Sequence, residues 1–124
     1  MEEQGKTEAS LDFPMARLAH RTWKLKLRAF LDDEQRLTEA EIISPSDCAL
    51  GRWLSHVGLK KYGRYSEIAQ LNTIHTEMHM RARKLFNLKV SGGVQLAEQE
   101  YERVVVLSAQ IIDLLTVIER KIGR

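Results

Sequence analysis

Four side chains in this 124-residue chain could together hold a soft metal ion: His20, Cys48, His75 and His79. His75 and His79 are four apart within a helical pattern, so one turn separates them and both imidazoles leave the same face. A third histidine and the only cysteine complete a set of four soft donors. Zn2+ is the default ion for such a set, being tetrahedral and redox-inert. The plain alternative is two core histidines, each hydrogen-bonded through its ring nitrogens. A histidine pair at this spacing does not decide between the two. Inward-facing His20 and off-stripe Cys48 favour the metal, because three separate helices would otherwise each place a soft ligand inside by coincidence.

The zinc-protease arrangement is excluded. It needs a glutamate directly after the first histidine as general base, whereas Thr76 follows His75 and Glu77 lies on the opposite helix face. His56 falls in the last turn of a short helix, where the dipole favours an imidazolium. It reads as a C-terminal charge partner and ranks below the other three histidines as a ligand.

The elements that must position these residues are helical. Apolar residues make up 44% of the chain and charged residues 29%; there are two prolines, and the seven glycines fall mostly between periodic segments. This favours a single all-α domain large enough to bury a core. Positions 1–9 are polar and are expected to form a disordered tail, with 10–124 as the bundle.

A first helix is expected from Ser10 or Leu11 to about Leu31. It has two apolar faces roughly opposite each other: Leu11, Met15, Leu18, Leu25 and Ala29 on one, Phe13, Ala16, His20, Leu27 and Leu31 on the other. Between them runs a basic stripe of Arg17, Arg21, Lys24 and Arg28, expected to be a solvated face rather than a docking site. The stretch 32–43 is an acidic connection, with a turn of its own at 38–41.

Ser44 or Ser46 should cap a short second helix with Pro45 in its first turn. Cys48 then lies in that first turn, where the dipole favours a thiolate. Leu50, Trp53, Leu54 and Val57 form the core stripe, and the helix should end near Val57 before a loop at 58–63. Cys48 points away from this stripe, above the small residues Gly51 and Ser55.

A third helix starts near Ser66 with the stripe Ile68, Leu71, His75, Met78, Ala82, Leu85. His75 takes a seam position, and His79 sits about 40° round from it. Ser91-Gly92-Gly93 breaks the pattern. The last helix is expected over about Val94 to Ile122, with the seam Ala97, Tyr101, Val104, Ser108, Ile111, Leu115, Ile118, Ile122. Its apolar arc, like that of the first helix, exceeds what one short bundle covers, which argues for a homodimer.

Several classes drop out. A net charge of +2 is too small to imply nucleic-acid or membrane binding. One cysteine excludes an internal disulfide framework. The N-terminus is not a signal peptide, and the longest aliphatic run, Val104-Val105-Val106-Leu107, cannot span a bilayer. The cytoplasm is the expected compartment, and its reducing conditions would keep Cys48 available as a thiolate.

Three stretches in order carry a resemblance: His20-Arg21-Thr22-Trp23-Lys24, then Cys48-Ala49-Leu50-Gly51-Arg52-Trp53-Leu54, then His75-x-x-x-His79. Together, over about 11–120, they resemble the bacterial chemoreceptor zinc-binding domain, CZB. The resemblance implies an antiparallel four-helix bundle with one short helix. It also implies an interior zinc site, one Zn2+ per protomer held by His20, Cys48, His75 and His79, and a homodimer. It further implies a sensory or regulatory role in chemotaxis or cyclic-di-GMP control, through a partner or fused output domain. The signal would be zinc itself or an oxidant such as hypochlorous acid attacking the zinc-bound Cys48. A zinc-stapled structural bundle is the alternative. A zinc hydrolase is disfavoured, because four protein ligands fill the tetrahedron and no carboxylate is evidently placed as a base.

Overall fold

The computed structural model describes residues 11–34, 36 and 49–122. Cys48, the serine caps before it and the turn expected at 38–41 lie outside these residues. Among the described residues every regular element is helical: α1 (Phe13–Leu31), α2 (Ala49–Trp53), a π-helical turn (Leu54–Gly58), α3 (Leu59–Lys61), α4 (Ser66–Val90) and α5 (Val94–Ile122).

Local chemistry sets the helix ends. α1 is capped by Asp12, whose carboxylate accepts the Met15 N–H at 3.0 Å, with Pro14 in the first turn, where its missing N–H costs nothing. The cap is therefore two residues later than Ser10. At the other end Asp33 takes φ +62°, and the Asp33 and Glu34 N–H groups close back on the carbonyls of Phe30 and Ala29. α4 ends in the same way, with Gly92 at φ +92° and the Gly92 and Gly93 N–H groups on Lys89 and Leu88.

The short helix does not stop at Gly58. It continues through the π-turn, where the Leu59 N–H bonds to the Leu54 carbonyl, and into α3, making one helical stretch over 49–61. The expected loop is thus shorter than 58–63. Gly58 has a packing reason to be glycine: a Cβ there would sit 2.8 Å from a ring carbon of Trp53. The bare backbone lets the indole lie against the helix, stacked on Tyr62 at 6.1 Å and edge-on to Phe13 of α1 at 6.2 Å.

The three long helices make the core. α4 and α5 form an antiparallel hairpin, pinned by Arg81 on Glu100 and Lys121 on Glu67. α1 runs antiparallel to α5, with Arg17 on Glu119 at 2.9 Å and Arg28 on Glu98 at 2.6 Å. Half of the basic stripe is therefore an anchor rather than a solvated face. Pairing with Glu98, then with Asp32, raises the Arg28 pKa, and the guanidinium also lies over the Tyr101 ring at 4.8 Å.

α1 is parallel to α4, and large side chains carry that seam: His20 meets His75, Trp23 meets His79, and Phe30 stacks on Phe86 at 5.4 Å. The buried stripe on α4 is Ile68, Leu71, His75, Met78, Ala82 and Leu85, as its periodicity requires. On α1 the buried face is Phe13, His20, Leu27 and Leu31, while Met15, Leu18 and Leu25 on the other face are exposed. No described helix is long and apolar enough to cross a membrane.

Candidate metal centre

The parallel seam between α1 and α4 brings three of the four sequence candidates together. His20 comes from the middle of α1, and His75 and His79 from adjacent turns of α4; all three are buried. The ring centroids of His20 and His75 are 5.8 Å apart, and those of His75 and His79 are 4.6 Å apart. Two imidazoles on one tetrahedral Zn2+, with Zn–N bonds of about 2.1 Å, place their centroids about 5 Å apart. The observed spacings lie on either side of that value.

Trp23, one turn beyond His20, closes the cluster. Its indole lies 5.3 Å from the His79 ring and 6.2 Å from His20. Its spacing of three from His20 is the signal that puts both rings on one face.

Burial sets the protonation state. Desolvation, then the nearby His79, pushes His20 down to about 4. Desolvation, then His79 and His20, pushes His75 down to about 3. Near pH 7 both are neutral imidazoles, the form that binds metal. His20 Nδ1 is buried without a hydrogen-bond partner. An unpaired ring nitrogen in a dry interior is costly, and a metal ion would satisfy it.

The histidines suit the nitrogen share of a zinc site, but they are not a finished one. Among the described residues, no group of three or more His, Cys, Asp or Glu side chains is arranged to hold a metal ion. Cys48 lies outside the described residues, immediately before α2. The structure places α2 against the base of α1 through Trp53 and Phe13, with Leu50 and Gly51 buried. His56 is exposed on the π-turn, apart from the buried cluster.

Glu100 of α5 is a further buried polar group. Glu100 replaces Tyr101 as the inward residue of that turn of α5. It pairs with Arg81 at 3.3 Å and Lys84 at 3.5 Å from α4.

The family model for the chemoreceptor zinc-binding domain, CZB, matches residues 20–86. The chain belongs to the CZB family. The match opens on His20, runs past His79 and so spans all four candidate positions; α5 lies beyond it. No curated protein and no solved structure matches the chain. CZB is a zinc-binding domain associated with chemotaxis and signalling proteins, and it is not a known catalytic family.

Proposed function

We propose that this CZB domain is a zinc-binding sensory or regulatory module, with one Zn2+ per protomer held by His20, Cys48, His75 and His79. The observation that carries the reading is the meeting of His20 with His75 and His79 across the α1–α4 seam, all three buried and His20 and His75 neutral near pH 7. A bundle that needed only packing would put apolar side chains there. Three interior imidazoles, one with an unpaired nitrogen, are expensive unless an ion uses them.

The metal would tie α1 and α4 to the start of the helical stretch over 49–61, which follows Cys48 directly. Sensing then runs through that stretch. It packs on the bundle through Leu50, Trp53 and Leu54 and is far shorter than the three long helices, so fewer buried apolar side chains hold it in place than hold them. Oxidation of the Cys48 thiolate to a sulfenic or sulfinic acid weakens a zinc bond. Loss of zinc from a depleted cell would release the same element. The readout belongs to a partner or a fused output domain of chemotaxis or cyclic-di-GMP control, in the cytoplasm, where thiols stay reduced. The exposed Met15, Leu18 and Leu25 face would be covered by a second copy, making the working unit a homodimer.

The test is metal analysis of the purified protein and of His20→Ala, Cys48→Ala, His75→Ala and His79→Ala. About one zinc per chain is expected in the parent, with strong loss in each variant. Equal metal content in all five proteins would end the proposal.

A further inference from the structure

Ser108 has no evident reason to be where it is. It lies in the middle of α5 with 0% exposure, in a seam whose neighbours are Val104, Leu107, Ile111 and Leu115. Its hydroxyl is buried and has no hydrogen-bond partner. A serine inside a helix ordinarily returns its hydroxyl to the carbonyl four residues back, as Thr116 does on Ile112 at 3.1 Å. Ser108 does not. An apolar side chain would remove the cost of burying an unpaired hydroxyl.

The register of the α4–α5 hairpin says what it faces. Arg81 and Lys84 on Glu100 pin one side, and Lys121 on Glu67 pins the other. Counting inward from the two pins brings Ser108 opposite Thr73 from one side and Met80 from the other, a span of two turns of α4 that contains His75. His75 is itself a seam residue, 1% exposed, in the stripe that packs on α5.

We propose that Ser108 is a positioning residue for the candidate metal centre: once the ion fixes the His75 ring, the hydroxyl that is unpaired without it accepts the N–H of the ring nitrogen that does not bind the ion. The inference rests on the zinc reading above. A ligating imidazole has one nitrogen for the metal and one proton on the other, and an acceptor for that proton fixes the tautomer and the ring angle. The neighbours of Ser108 in the α5 seam, Val104, Leu107 and Ile111, carry no side-chain oxygen. Its small size also leaves room for the imidazole.

Zinc affinity is measured by competition with a chelating dye in the parent and Ser108→Ala, beside the urea midpoint of each metal-free protein. The expected result is zinc affinity about tenfold weaker in Ser108→Ala, with metal-free stability unchanged or raised. Should Ser108→Ala also lose metal-free stability, Ser108→Thr and Ser108→Val decide, because they share a shape and differ only in the hydroxyl. The threonine form should bind zinc more tightly than the valine form. Nitrogen NMR of the zinc-loaded parent should show a slowly exchanging His75 ring N–H, and Ser108→Ala should lose that protection. Equal affinity in parent and Ser108→Ala, or in the Thr and Val forms, overturns the role of Ser108 and leaves the zinc reading standing. A parent that binds no zinc overturns both.

Discussion

His20 of α1 and His75 of α4 meet edge to face, 5.8 Å between ring centroids and 67° between planes, and each is held neutral by a shared dry interior. Two consequences follow from this contact. It makes both rings available to a metal near pH 7, and it makes the metal-free bundle sensitive to acid.

In the metal-free protein, stability should fall as pH drops from about 6.5. Both histidines have folded values well below the ordinary 6.5, at about 4 and about 3. Between those values and 6.5 the unfolded chain binds more protons than the folded one, so stability rises with pH across that window. At pH 5 the penalty for the pair is on the order of a few kcal/mol. Asp32, Glu67 and Glu98 are held below their ordinary carboxylate values by Arg28 and Lys121, and their contribution fades only at lower pH. Urea unfolding of chelator-treated protein at pH 7.5, 6 and 5 isolates the histidines. A midpoint that does not move between pH 7.5 and 5 would contradict the buried, neutral state.

Gly58→Ala should destabilise the helical stretch over 49–61 even though alanine is the better helix former. Its methyl would meet Trp53 ring carbons at 2.8 and 3.2 Å and Leu54 at 3.3 Å. The indole cannot retreat easily, being stacked on Tyr62 and edge-on to Phe13. The expected loss is about 1–3 kcal/mol, with a changed near-ultraviolet circular dichroism signal from the tryptophan. A rise in thermal midpoint would show that helix propensity outweighs this contact.

Much of this bundle could be read from spacing alone, and the exceptions share a cause. The 3-4-3-4-3 rhythm from Ile68 to Leu85 placed His75 and His79 inward because an α-helix has one period and one buried face. Gly58 misled because glycine commonly ends a helix, whereas here the π-turn carries the chain past it and the ring of Trp53 needs the space. Arg17, Arg28 and Glu100 misled differently. Their burial depends on Glu119, Glu98, Arg81 and Lys84 on other helices, and the periodicity of one helix carries no record of what faces it.

Leu18→Glu combined with Leu25→Glu should convert a dimer to a monomer without unfolding it. These side chains are 52% and 64% exposed and lie one and three turns along the same face of α1 from Met15. Neither contributes to the buried core, so a charge there leaves the protomer intact. Sedimentation velocity at micromolar concentration reads the outcome, with circular dichroism confirming unchanged helix content. A parent protein that sediments as a monomer would remove this face from the dimer proposal.

Oxidation should act on zinc through Cys48 and hardly at all through the histidine cluster. Cys48 is the only cysteine, so a two-electron oxidant that spares methionine has one thiolate to attack. Sulfenic acid formation weakens the sulfur donor, while His20, His75 and His79 stay packed between α1 and α4 under Trp23. The expected outcome is faster zinc transfer to a chelating dye after limited peroxide treatment, reversed by thiol. Tryptophan fluorescence should separate the two halves of the structure, because Trp53 reports the stretch following Cys48 and Trp23 reports the α1–α4 seam. In Trp23→Phe, which leaves Trp53, emission should change on oxidation as the stretch over 49–61 shifts; in Trp53→Phe, Trp23 beside the His79 and His20 rings reports loss of the ion itself. Oxidised protein that keeps its zinc and its Trp53 emission would leave the metal a staple and not a switch.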